Sequence, residues 1–179
     1  MELYSPPDES CLTHGAKYVC TIDRDARRQS GKIFDEHGDL CWQYRVRKNP
    51  VDWTLKNPFN KLEFVFADAD ARDEFVIRRT SFIPSRFEIL FAKNSIGRIE
   101  LRNVLGIKYV INIDGYSPWT FRMPLFTIRF WGSTKNEPSI WVLVGPSKMQ
   151  WTILLKPETR GRELVVALAF IHSQWWTYG

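Results

Sequence analysis

The sequence predicts a mainly β protein: a closed antiparallel β-barrel of about 12 strands around a buried C-terminal hydrophobic helix. Two observations carry this. Short segments with apolar residues at every second position recur along most of the chain, with turn residues between them. After them, Leu164 to Ile171 forms an unbroken apolar run. A helix that is apolar on all sides needs enclosure, and this run falls far short of the ~20 residues that span a bilayer. A sandwich has no place for such a helix, whereas a barrel lined by one apolar strand face does.

Taken in order, Met1 to Ala16 has few large apolar residues and reads as a weakly ordered arm, with residues 17–179 as the single domain. Lys17 to Ile22 is the first strand candidate, followed by the charged run Asp23 to Arg28. Lys32 to Asp35, a His37-Gly38-Asp39 turn and Leu40 to Val46 read as a hairpin with Leu40, Trp42, Tyr44 and Val46 on one face. Alternation recurs over Lys61–Ala67, Asp73–Arg79, Ser85–Ala92, Ile96–Arg102 and Ile107–Ile113. It returns around Phe126, Ile128 and Phe130, then Ile140 to Val144, then Met149 to Leu155. Ala92–Ser95, Asp114–Pro118, Gly132–Pro138 and Gly145–Ser147 carry the turn chemistry. The helix is expected over about 162–177.

Composition narrows the class. The chain has 179 residues, with 8 Trp, 12 Phe and 6 Tyr, an aromatic content that suits strands. No secretory pattern or membrane span is visible, and the three cysteines, Cys11, Cys20 and Cys41, have no framework spacing. The expectation is a soluble cytoplasmic protein with free thiols. The net charge of +5 is uneven: residues 81–179 hold 12 Lys/Arg against 6 Asp/Glu, and residues 1–80 hold 13 against 14. A basic half can meet an anionic partner.

The layout of about twelve strands and one apolar terminal helix resembles the Tubby C-terminal-domain superfamily, which includes tubby-like proteins, LURP-one-related proteins and phospholipid scramblases. The likeness runs from about Gly31 to Trp176, with strand phrases such as Phe64-Val65-Phe66-Ala67-Asp68 and Phe87-Glu88-Ile89-Leu90, and above all the helix Leu164–Trp176. It implies a barrel around a buried helix and, in several members, phosphoinositide or other lipid binding without catalysis. The cysteine-rich run and acidic calcium segment of scramblases have no counterpart here, so scrambling is not expected.

Chemistry-bearing motifs are sparse. Cys11-Leu12-Thr13-His14 lacks a second ligand pair, and His14, His37 and His172 are not spaced as ligands. Asp68 to Glu74 lacks the glycine and final glutamate of a calcium loop. Phosphate loops, nucleophile elbows and zinc helices are absent, so no enzyme, metal or cofactor is expected. The strongest pattern is basic: Arg86, Arg98, Arg102 and Lys108, with Arg78 and Arg79 upstream, fall on successive strand candidates. They read either as one exterior patch or as cross-strand pairs with Glu88 and Glu100. Nucleic acid is not expected, since no aromatics interleave with these charges. Trp175 and Trp176, near Lys148, Lys156, Arg160 and Arg162, read as a plug for the barrel end or as a membrane-interface patch. The basic pattern therefore points to a non-enzymatic domain that binds an anionic ligand, which the resemblance implies is a phosphoinositide-like lipid headgroup met peripherally at a membrane, with a lipocalin-like carrier or a ligand-free scaffold as alternatives.

Overall fold

The computed structural model describes residues 15–25, 28–48, 62–68, 70, 74–81, 85–103, 107–123, 129–134, 137–144, 150–157, 159 and 161–178. The strands are β1 (Ala16–Asp25), β2 (Arg28–Phe34), β3 (Leu40–Lys48), β4 (Leu62–Asp68), β5 (Glu74–Ser81) and β6 (Arg86–Phe91). They continue as β7 (Asn94–Asn103), β8 (Ile107–Ile113), β9 (Trp119–Met123), β10 (Arg129–Thr134), β11 (Glu137–Val144) and β12 (Gln150–Leu155), followed by the helix α1 (Arg162–Tyr178). The protein is mainly β, with an antiparallel sheet and a helix at the C-terminal side.

Each strand pairs antiparallel with the next in the chain, from β1 with β2 through β11 with β12. One pair is distant in sequence: β1 also runs against β12, with Cys20 opposite Trp151. Alternation decides the faces. Trp42 and Tyr44 of β3 are buried while Gln43 and Arg45 are exposed, and in β12 Trp151, Ile153 and Leu155 are buried in alternate positions.

The buried face is filled by α1. Every residue from Leu164 to Phe170 is no more than 2% exposed, and Ile171 is 8% exposed. The helix starts where the Leu164 and Val165 N–H groups donate to the Gly161 carbonyl, and Glu163 sits in its first turn, where a carboxylate complements the dipole. Phe170 packs edge-on against Phe64 of β4 and Phe87 of β6. At the other end, the Arg162 guanidinium lies 5.7 Å from the centre of the Trp42 ring. Each fully buried Val, Leu or Phe contributes about 1.5–3 kcal/mol, so this helix is a main source of stability.

Two glycines let aromatic rings close over the backbone. Gly31 stands opposite Tyr44 and Gly132 opposite Phe121, and in each case a Cβ would collide with the facing ring. The β6–β7 hairpin turns in two residues, Ala92 and Lys93, both at positive φ (47° and 71°). That is the twist-matched form of a two-residue hairpin, made here without glycine. In the β2–β3 turn, Asp35 Oδ1 accepts hydrogen bonds from the His37 and Asp39 N–H groups at 2.9 Å.

The sequence expectations need correction in several places: β2 begins at Arg28, ahead of the expected Lys32, and β7 begins at Asn94, inside the expected turn Ala92–Ser95. β1 runs on through Asp23, Arg24 and Asp25, which the charge run had placed outside the strand. β9, Trp119–Met123, was not anticipated. The expected turn Gly132–Pro138 is mostly strand, with β10 reaching Thr134 and β11 starting at Glu137. The calls on residues 1–14 and on Phe126 and Ile128 lie outside the described residues.

Candidate functional site

The basic pattern falls on β5 to β8, which are successive neighbours in the sheet. Ile77, Phe87, Ile89, Ile99, Tyr109 and Ile111 occupy their buried positions. The alternate positions put Arg86, Arg98, Arg102 and Lys108 together on the opposite face, with Arg78, Glu88 and Glu100. The register sets Arg86 opposite Glu100, Arg98 between Glu88 and Asn112, and Arg102 opposite Lys108. Arg79 is on the other side of β5. Its guanidinium lies 5.2 Å from the Phe87 ring centre, and its Nη2 donates to Ser85 Oγ at 2.8 Å.

The pairing is uneven. Arg78 gives both Nε and Nη2 to Glu88 Oε2, at 2.9 and 2.8 Å. Arg102 Nε donates to Glu100 Oε1 at 2.9 Å, and Arg86 Nε stands 3.8 Å from Glu100 Oε2. Arg98 and Lys108 have no ion pair among the described residues; Arg98 is exposed and Lys108 half-buried. One carboxylate thus faces three arginines. The hydrogen bond from Arg102 is the main cause that holds the Glu100 carboxyl below its ordinary range, with the charges of Arg102, Arg86 and Arg98 acting the same way.

A further basic position continues the row in register. The register places Arg122 of β9 opposite Lys108, so positions 102, 108 and 122 on three adjacent strands are all basic. Sequence reasoning missed Arg122 because it missed β9. Beside Arg98, on the same exposed face, lies a groove of about 440 Å³.

Of the other candidates, Lys148 and Arg160 lie outside the described residues, as do the side chains of Trp175 and Trp176, whose backbone belongs to α1. His37 is exposed in the β2–β3 turn, 3.4 Å from Glu36. Cys20 is buried, and burial pushes its thiol well above the ordinary value; Cys41 is raised by burial first and by Asp35 next. Among the described residues no three His, Cys, Asp or Glu side chains gather as a metal site, and no helix is long and apolar enough to cross a membrane.

Comparison with protein-family models, with curated proteins and with solved structures gives no match to this chain.

Proposed function

We propose that this chain is a non-enzymatic, Tubby-like binding domain: twelve strands closed into a barrel about the C-terminal helix, with the exposed face of β6–β9 binding anionic lipid headgroups. The strand-to-strand pairs, including β1 with β12, and the all-round burial of Leu164 to Phe170 support the architecture. A lipocalin-type carrier needs an open interior, and α1 takes that space. The observation that carries the function is the surplus of cations around Glu100, where Arg98 and Lys108 make no ion pair among the described residues and position 122 extends the row. Cations gathered on one outer face attract an anionic surface, and the exposed Arg98 does so at little desolvation cost.

Vesicle sedimentation tests this. The protein should bind vesicles containing anionic lipid and release them as the Debye length falls from ~10 Å at 0.1 M salt to ~3 Å at 1 M. The variant to use is Arg98→Glu with Lys108→Glu, since Arg102 also serves the fold through Glu100. It should keep the thermal transition and lose vesicle binding. Unchanged binding by that folded variant would remove the patch from consideration.

A further inference from the structure

The groove on this face is not simply basic. Its charged lining is Arg86 and Arg98 on one hand and Glu88 and Asp114 on the other, with Ser95 and Asn112 between. The four charges differ in what they can still do. Glu88 is engaged by Arg78 and Arg86 leans on Glu100, whereas neither Arg98 nor Asp114 has an ion pair among the described residues. They do not pair with each other either. Asp114 lies two positions beyond Asn112, the register partner of Arg98, so the two are diagonal neighbours. Asp114 is also anchored: its N–H donates to the Ile96 carbonyl at 2.9 Å, and the Tyr116 N–H closes the turn onto Ile113 at 3.1 Å. The groove therefore presents a guanidinium and, on the neighbouring strand's turn, a carboxylate, neither of them in an ion pair among the described residues.

This pattern discriminates between anions. A headgroup carrying several phosphates would meet Arg98 favourably but bring like charge to Asp114 and Glu88. A headgroup that sets an ammonium a few bonds from its phosphate satisfies both groups, and a serine headgroup does so with its carboxylate, the group that makes it net anionic, turned to solvent. The volume, about 440 Å³, falls within the ~300–1,000 Å³ range of small-ligand sites. We infer that the groove receives an amino-bearing anionic headgroup of the phosphoserine kind, with its phosphate on Arg98 and its ammonium on Asp114. This rests on the reading of the same face as a contact for anionic lipid, and it names the headgroup.

The test compares vesicles of equal net charge. Phosphatidylcholine vesicles are doped with the same fraction of phosphatidylserine or phosphatidylglycerol, each of net charge −1 per lipid, of which only the first carries an ammonium. Wild-type protein should bind the serine vesicles about five-fold more tightly, the size of one exposed ion pair. Asp114→Asn, in an exposed turn, should bring the two vesicle types to equal binding, and Arg98→Gln should weaken both. Soluble O-phospho-L-serine, added to isotopically labelled protein, should shift the amide signals of Ser95, Arg98 and Asn112, while glycerol phosphate at equal concentration should shift them less. That separates a headgroup taken from the membrane from one bound free. Equal binding of both vesicle types by wild type, or a preference that survives Asp114→Asn, overturns the inference and leaves the anionic-surface reading standing. Binding to neither vesicle type overturns both.

Discussion

Phe170 of the helix meets Phe64 of β4 edge to face, with ring centres 4.9 Å apart and planes at 81°. Phe87 of β6 takes the same ring from another side at 4.8 Å and 66°. Edge-to-face pairs add about 0.5–1.5 kcal/mol beyond the area they bury. Phe170→Ala should therefore lower stability by about 3–5 kcal/mol in a denaturant titration, a large part of a total of roughly 5–15. Leu168→Asp, which buries an unpaired carboxylate, should abolish cooperative unfolding. A loss under about 1 kcal/mol for Phe170→Ala would mean that α1 is not packed in the core.

The Ala92-Lys93 turn stores strain at two residues with positive φ. Left-handed backbone costs a non-glycine residue roughly 1–2 kcal/mol, and glycine adopts it freely. Lys93→Gly should raise the unfolding midpoint, by about 0.5–1 kcal/mol after the added freedom of the unfolded chain is discounted. A lower midpoint would show that the turn is not in this conformation in solution.

Gly132→Ala should act in the opposite direction. The new methyl would collide with the Phe121 ring, and both that ring and the glycine are buried. Relief requires a strand shift or a ring displacement, with a cost of about 1–3 kcal/mol for overpacking. Pairing the change with Phe121→Leu should recover part of the loss, which a double-mutant cycle reads directly.

Alkaline pH should loosen the fold through groups that burial holds protonated. Desolvation raises Tyr109 from 10.0 to about 12, and the Cys20 thiol lies well above its ordinary 9.0. A folded-state value above the unfolded one favours the protonated form in the fold. The contribution is complete below about pH 9–10 and lost as pH rises toward the folded-state values. For Tyr109 alone it amounts to roughly 3 kcal/mol. A tyrosinate absorbance titration should show late ionisation coincident with unfolding; full ionisation at ordinary pH with the fold retained would contradict it.

Glu100→Gln separates the structural and binding roles of the cationic face. It removes the carboxylate that Arg102 and Arg86 share. Stability should fall only modestly, because ion pairs at a solvent-facing sheet surface contribute little. Affinity for anionic vesicles should rise, because the arginines then face outward uncompensated. Reduced vesicle binding would show that Glu100 is needed to position Arg102.

Strand faces were legible in the sequence because alternation is a local property. Trp42 and Tyr44, or Ile99 and Ile111, could be placed inward from their own segments. Trp119–Met123 was not legible: five residues after Pro118, with Trp119 and Phe121 as the described inward pair, carry too short a pattern to distinguish from the turn before them. Gly132-Ser133-Thr134 has turn composition, yet Phe121 and Ile140 flank Gly132 in register and hold it in the sheet. At the candidate site, alternation put Arg86, Arg98, Arg102 and Lys108 on one face. The Arg102–Glu100 pair lies within β7, two residues apart, but that Arg86 also reaches Glu100 and that Arg78 takes Glu88 depends on the register between strands, which no single segment encodes. Asp114 escaped notice for the same reason, since its turn comes beside Arg98 only when β7 and β8 pair.

The residues that α1 covers are all translated before it. A ribosome delivers Phe64 and Phe87 with their strands while Phe170 is still unmade, so the nascent sheet has an apolar face and no partner for it. Such surfaces aggregate at cellular concentrations. Synthesis of this protein therefore passes through a vulnerable interval that ends only when the helix leaves the exit tunnel. Slow translation near the codons for Leu164 to Ile171 should lower the yield of native protein without altering the stability of the molecules that do fold.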